Sequence, residues 1–331
     1  MKSLRWGLIA AGNIAARFAK GLATTTEADV VAVGARSRDR ATQFARAHGI
    51  ERAYGSYAEV LADPDVDAVY ISTPNHLHAE WAIAAARAGK HILCEKPAAL
   101  NAPQLEAVLD VVQACDVFFM EAFMYRCHPQ WERVREVMAS GAIGETRIIE
   151  AAFSFNFGCP LDNIRMSRSM GGGSLMDVGC YCLSFARMVA GEEPRECKAT
   201  ARIGPDSEVD EWAAGVLAFP SGAIAHFACG MRCATPVRAA VYGDRGYLSV
   251  ASPWLPDADG ATVTVVSEGR EETHEVSHGL DLYAGEALTV AAHLGERQAP
   301  AMSWSDSLGQ ARAMDALRAS IGLVFPGDCS Q

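Results

Sequence analysis

The order of apolar and polar positions divides the chain into two halves with different rhythms. Over the first 125 residues, short apolar runs alternate with amphipathic stretches. Leu4–Ala10, Asp29–Ala35, Val66–Ile71, His91–Cys94 and Val117–Met120 are predicted strands; Ile14–Leu22, Asp39–His48, His76–Ala88 and Gln104–Ala114 are predicted helices. Continuous apolar strands separated by helices imply a parallel sheet covered on both faces. Beyond residue 125 the rhythm changes. Thr146–Phe157 places Phe153, Phe155 and Phe157 on one strand face. Glu211–Phe219 and Ala223–Arg232 flank Pro220-Ser221-Gly222, a hairpin signal. Val237–Tyr242, Tyr247–Val250 and Ala261–Ser267 add strands, and helices are predicted near 130–139, 174–190, 281–295 and 305–322. Neighbouring strands with segregated helices imply an α+β domain with a large, mostly antiparallel sheet. The expected domains are 1–125 and 126–331.

Composition narrows the function. With 331 residues the chain can bury two cores. A net charge of −11 argues against nucleic acid or an anionic membrane as partner. No apolar run reaches membrane-spanning length, and MKSLRWGLIAAGN reads as a first strand rather than a cleaved signal. The ten cysteines are mostly single; Cys180 and Cys182 have no matching second pair, so no metal site is expected. Buried reduced thiols in a cytoplasmic protein account for them.

Candidate chemistry sits where predicted strands end. WGLIAAGNIAARF joins the first strand to the first helix through Ala10-x-Gly12-x-x-Ala15. Small residues there let backbone N–H groups approach a pyrophosphate at the helix N-terminus, so Ala10, Gly12, Asn13 and Ile14 are candidate cofactor contacts. Tight packing alone would also select small residues. The second strand ends in Gly34-Ala35-Arg36-Ser37-Arg38-Asp39-Arg40. Where an NAD reader carries an acid, this tip carries Arg36, Ser37, Arg38 and Arg40, which suit a ribose 2′-phosphate and favour NADP; Asp39 leaves NAD open. A solvated basic turn would have the same composition.

Two later strands end in Thr73-Pro74-Asn75-His76-Leu77-His78 and in Glu95-Lys96-Pro97. In an open parallel sheet both clusters face one crevice. In the second half, Gly171-Gly172-Gly173-Ser174 leads to Asp177 and, four residues on, Tyr181, on one helix face. Ser174-x-x-Asp177 is also a capping pattern.

WGLIAAGNIA, STPNHLH, CEKPAAL, EAFMYRCHPQ, GGGSLMDVGCYC and AMSWSDSL together resemble the glucose–fructose oxidoreductase / inositol dehydrogenase / MocA family, over nearly the whole chain. Tyr181 stands where many members have histidine, as in the branch holding glucose–fructose oxidoreductase, NADP-dependent xylose dehydrogenases and dimeric dihydrodiol dehydrogenases. The resemblance implies an α/β chain with an N-terminal Rossmann domain and a C-terminal domain for substrate binding and oligomerisation. It implies hydride transfer between nicotinamide and a carbohydrate or diol, in a homodimer or homotetramer built through the C-terminal sheet. Lys96, Tyr181 and Asp177 are then the catalytic candidates. A free tyrosine, with pKa near ~10, is a poor base at neutral pH, and a nearby Lys96 ammonium would lower that value. A rival assignment makes Lys96 the proton carrier. Thr73, Pro74, Asn75, His78, Glu95 and Lys96 are expected on the cofactor; Tyr125, Arg126, His128, Arg165, Asp177 and Tyr181 on the substrate. Alternatives are a sugar-nucleotide 3-ketoreductase, a trans-dihydrodiol dehydrogenase, and a non-catalytic NADP-binding regulator or scaffold.

Overall fold

The computed structural model describes residues 3–156, 158, 160–256 and 260–328. The chain forms two compact units. One comprises Met1–Ala99, Pro103–Cys127 and Leu280–Leu308; the other comprises Leu100–Ala102, His128–Gly279 and Gly309–Gln331. The chain therefore passes back into the first unit at Leu280, a return that no composition shift marks in the sequence.

The first unit holds strands β1 (Leu4–Ile9), β2 (Ala28–Gly34), β3 (Arg52–Tyr54), β4 (Ala68–Ile71), β5 (His91–Glu95) and β6 (Phe119–Ala122). They pair in parallel in the order β3-β2-β1-β4-β5-β6, the doubly wound order of a Rossmann sheet. Helices α1 (Asn13–Leu22), α2 (Arg38–His48), α3 (Tyr57–Ala62), α4 (His78–Arg87) and α5 (Ala102–Cys115) connect them. Helix α1 buries Ala15, Phe18, Ala19 and Leu22, the spacing of one helical stripe. Phe18 stacks on Tyr70 at 4.0 Å and meets the edge of Trp6 at 5.2 Å, pinning α1 to β1 and β4. Full burial of such a ring is worth about 2–3 kcal/mol. Helix α2 starts at Ser37, whose side chain accepts from the Arg40 N–H, and stops at Gly49, whose φ of 70° is the left-handed cap. Strand β3 and helix α3 are too short and polar to register as periodic segments.

The second unit carries an eight-stranded sheet of β7 (Thr146–Ser154), β8 (Glu196–Ile203), β9 (Asp210–Ala218), β10 (Ile224–Gly230), β11 (Arg238–Gly243), β12 (Gly246–Val250), β13 (Ala261–Ser267) and β14 (Arg270–Val276). The order is β14-β13-β12-β11-β7-β10-β9-β8, antiparallel except for the β7–β10 pair. Strand β7 ends at Ser154, so Phe155 lies beyond it, packed against Met166 and Met231; Phe157 lies outside the described residues. The sequence reading missed β8 and β14. Both are edge strands, and ECKATARI and REETHEV carry the charge that suits an unpaired edge. On β9 burial alternates, with Trp212, Ala214 and Val216 exposed and Ala213, Gly215 and Leu217 buried. Helices α6 (Gln130–Ala139) and α7 (Cys180–Ala190) cover the inner face. There Trp254 donates its indole N–H to the Ala152 carbonyl at 3.2 Å and packs among Trp131, Phe153, Tyr181 and Phe185.

Helix α8 (Leu282–Ala292) belongs to the first unit, against α1 and the Met124–Cys127 turn. Helix α9 (Trp304–Ser320) begins there, with the Trp304 indole on the Phe119 carbonyl at 3.1 Å, and continues into the second unit. Glu286 on α8 is fully buried, and neither carboxyl oxygen has a hydrogen-bond partner. Burial, and then the nearby Glu95 charge, push its pKa well above the ordinary carboxylate range, so the folded chain holds it as a neutral acid. A carboxyl raised in the folded state costs nothing below its unfolded pKa of about 4.3, then destabilises increasingly as pH rises. Glu286→Gln is therefore expected to raise the melting temperature by at least about 2 °C at pH 7, with a gain that grows from pH 5 to pH 8. Scanning fluorimetry across that range checks it; a difference independent of pH contradicts it.

Candidate functional site

In the first unit the strand order reverses between β1 and β4, which is where a doubly wound sheet opens a crevice beyond its strand ends. Ala10, at the end of β1, holds φ at 100°, a conformation that favours glycine. The substitution seen in the sequence thus keeps the glycine conformation at a strain cost of order 1–3 kcal/mol. Gly12 is extended and precedes α1, which begins at Asn13-Ile14 with no acid in its first turn. A Cβ built on Gly12 meets nothing within 4 Å, so a side chain there would project into open space beside the helix N-terminus.

The four basic-turn candidates divide. Arg36 is exposed; Arg40 reaches the Ala11 carbonyl of the first turn at 3.5 Å; Ser37 caps α2. Arg38 points elsewhere: it donates to the Ala53 carbonyl at 2.6 Å and lies over the Tyr54 ring at 5.9 Å. Arg38 is thus committed to β3 rather than to the first turn.

The loops after β4 and β5 are tied together. His78, fully buried, has Nδ1 2.8 Å from the Pro97 carbonyl and Nε2 2.8 Å from the Thr73 carbonyl. Burial lowers its pKa. Both ring nitrogens face the backbone, so His78 fastens Thr73-Pro74-Asn75 to the Lys96–Pro97 turn instead of reaching for a ligand. The Lys96–Pro97 peptide is cis. Glu95 accepts from the Tyr70 hydroxyl with one oxygen and from the Lys96 N–H, at 3.2 Å, with the other. Burial, reinforced by Glu95, holds the Tyr70 phenol far above its usual pKa, so it stays a donor. Just beyond, the Ala98 N–H donates to buried Glu121 of β6 at 3.0 Å. Lys96 is thus delivered by a backbone fixed on both sides. Tyr70 and Glu121 were not foreseen: the phenol sits inside an apolar run, and the acid stands just past the predicted strand Val117–Met120.

In the second unit the three glycines bring the chain close to two acceptors. A Cβ on Gly172 would lie 2.3 Å from the Arg165 carbonyl; Gly173 has φ of 113°, and a Cβ there would lie 2.1 Å from Asp210 Oδ1. Residues Leu175–Gly179 then form a π-helical turn that runs into α7. Ser174 does not close the expected capping box: its hydroxyl donates to Asp210 at 2.7 Å. Asp177 accepts from Arg165 Nε at 2.7 Å, which brings two predicted substrate contacts together. Tyr181, 4% exposed, lies 5.3 Å from the Phe153 ring and 6.0 Å from the Trp254 ring. Asp210 itself begins a strand and has no sequence signal beyond an acid in a polar loop.

The remaining candidates are more deeply committed to the fold than expected. Tyr125 is fully buried against Phe123, and Arg126 is paired with Asp306 at 2.5 Å. His128 is buried; its Nδ1 accepts the Gln130 N–H at 3.1 Å, and its ring is 5.4 Å from His278. Burial, then His278, lower its pKa to about 4, so it is neutral near pH 7. Among the described residues no three His, Cys, Asp or Glu side chains could hold a metal, and no helix is long and apolar enough to cross a membrane.

An open Gly12 cradle at a helix N-terminus, with Arg40 reaching the neighbouring Ala11 carbonyl, fits a dinucleotide. Comparison with known proteins agrees. Residues 4–123 match the model of an oxidoreductase family with an NAD-binding Rossmann fold, and residues 131–249 match the GFO/IDH/MocA C-terminal domain. The chain is similar to D-xylose 1-dehydrogenase (NADP(+)) 2 of Haloferax volcanii, 35% identical over 95% of this chain and 96% of that one. It is 33% identical to mouse trans-1,2-dihydrobenzene-1,2-diol dehydrogenase, over 98% and 99%. KijD10, a 3-ketoreductase from Actinomadura kijaniata solved with NADP and TDP-benzene, superposes with a TM-score of 0.89 at 31% identity, covering 97% and 98%. The chain belongs to the GFO/IDH/MocA family and is an NAD(P)-dependent oxidoreductase with an N-terminal Rossmann domain.

Proposed function

We propose that the chain is an NADP-dependent dehydrogenase of an aldose or closely related polyol. The observation that carries this reading is the fixed Glu95-Lys96 step at the end of β5, anchored by Tyr70 on one side and Glu121 on the other. An ammonium held by so rigid a backbone is suited to act on one oxygen of a bound substrate. Ala10, Gly12, Asn13 and Ile14 would hold the pyrophosphate, Arg36, Ser37 and Arg40 the 2′-phosphate, and Thr73, Pro74 and Asn75 the nicotinamide ribose. Bound NADP supplies a ring carbon that accepts hydride. Tyr181, held as the tyrosinate by the Lys96 ammonium, takes the proton of the reacting hydroxyl and becomes the neutral phenol; Lys96 also stabilises the reacting oxygen, and Glu95 orients Lys96. Asp177, oriented by Arg165, receives the sugar hydroxyls.

A free sugar is favoured over a sugar nucleotide by the arginines. Arg165 is engaged with Asp177, and Arg168 donates to the Val324 carbonyl at 2.7 Å. A diphosphate would compete with both of these contacts. A cytoplasmic location is supported by eight described cysteines, all free thiols. A homodimer or homotetramer through the second unit's sheet is supported by Ile148, Trp212, Val216, Ile224 and Tyr247, large apolar side chains exposed on its open face.

Three measurements test these points. Tyr181→Phe should lower kcat with an aldose by about 100-fold or more and remove the fall in kcat toward low pH that protonation of the tyrosinate causes, and Lys96→Met should lower kcat more than it weakens NADP binding; near-normal turnover in Tyr181→Phe would exclude the tyrosine as proton carrier. Arg36→Ala should weaken NADP binding by about 10-fold or more while leaving NAD nearly unchanged, as read by calorimetry. Trp212→Glu with Val216→Glu should halve the mass seen by light scattering; an unchanged mass places the interface elsewhere.

A further inference from the structure

Asp210 is a fully buried carboxyl that touches the start of the helical run bearing Asp177 and Tyr181. It stands at the first position of β9 with no exposed surface. Its Oδ2 accepts the Ser174 hydroxyl at 2.7 Å and the Leu175 N–H at 2.7 Å. These groups open the helical run that continues through the π turn into α7. The segment before them is clamped as well: the Gly173 N–H donates to the Arg165 carbonyl at 2.9 Å, and the Asp177 N–H donates to the Gly173 carbonyl at 3.0 Å. The glycine at 173 is what allows a carboxylate so close to the backbone.

We propose that Asp210 is a positioning residue for the reaction: as a carboxylate it grips the first turn of the helix at Ser174 and Leu175 and thereby sets where Asp177 and Tyr181 stand. The inference rests on the reading of Tyr181 as the acid–base group. Its physical basis is an anion accepting hydrogen bonds at a helix N-terminus, where both the donors and the helix dipole favour the charged form. Protonation removes that charge and halves the acceptor capacity of the grip. Burial pushes Asp210 up to about 6, against the opposing pull of Ser174 and the Leu175 N–H. The other polar groups around it are weak or paired. Cys229 of β10 lies 3.7 Å from the Ser174 hydroxyl, and burial raises the thiol pKa of Cys182 on α7. Glu211 of β9 is paired with Arg232, and Arg165 with Asp177. The sign is therefore fixed: the grip strengthens as pH rises through about 6 and weakens as pH falls through it.

The test combines an activity readout with one that needs no turnover. Protein labelled with 3-fluorotyrosine, with the Tyr181 signal assigned by its disappearance in Tyr181→Phe, is titrated by fluorine NMR alongside kcat and KM. In the native chain the Tyr181 signal and kcat should both change with a midpoint near pH 6. Ser174→Ala removes a donor that favours the charged form, so both midpoints should move upward. Asp210→Asn should lower kcat by about 10-fold and abolish the acidic transition in the fluorine signal. A midpoint unmoved in Ser174→Ala, or an acidic transition that persists in Asp210→Asn, would overturn the proposal. The fluorine signal decides it even where turnover proves independent of Tyr181, which separates this failure from failure of the proposed activity.

Discussion

The Glu95 carboxylate, accepting at once from the Tyr70 phenol and from the Lys96 N–H, is the interaction that fixes the end of β5 and with it the Lys96 backbone. An apolar strand would normally end in a loose polar loop. Here the last strand residue is held from below by a phenol that is itself packed on Phe18. The next turn is held by His78 between two carbonyls and by Glu121 on the Ala98 N–H. The lysine is therefore presented by a backbone with little freedom left, which is the condition for placing an ammonium against one oxygen. Such rigidity comes with polar groups buried around the loop, and Glu286 shows the cost as a neutral acid without a hydrogen-bond partner.

The second unit solves the same problem with different parts. Its sheet supplies a flat support, and the Gly171-Gly172-Gly173 turn lets backbone run against the Arg165 carbonyl and the Asp210 carboxylate. From that anchored start the π turn and α7 carry Asp177 toward Arg165 and seat Tyr181 between Phe153 and Trp254. In both units a candidate side chain emerges from an element whose beginning or end is fixed by carboxylate contacts.

Much of this is legible in the sequence, for identifiable reasons. Strands buried on both faces, such as Ala68–Ile71 and His91–Glu95, announce themselves as apolar runs, and the position of Gly12 between a strand and a helix follows from them. The charged edge strands Glu196–Ile203 and Arg270–Val276 do not, because an edge needs no apolar face. Individual roles within motifs are also hidden. Arg38 and Arg40 are equivalent as letters, yet one turns toward Tyr54 and the other toward the first turn. His78 reads as a ligand contact until both of its nitrogens are seen on carbonyls. Asp210 and Tyr70 act through contacts 36 and 25 residues distant in the chain, which no local pattern encodes.

Direct hydride transfer from a sugar carbon is the central claim, and isotope tracing tests it without reference to any single residue. An aldose carrying deuterium at its anomeric carbon is incubated with the protein and oxidised NADP, and the reduced cofactor is weighed by mass spectrometry. The account predicts one deuterium in the nicotinamide ring. Reduced cofactor free of label, or no reduction across a panel of aldoses and polyols, would contradict it.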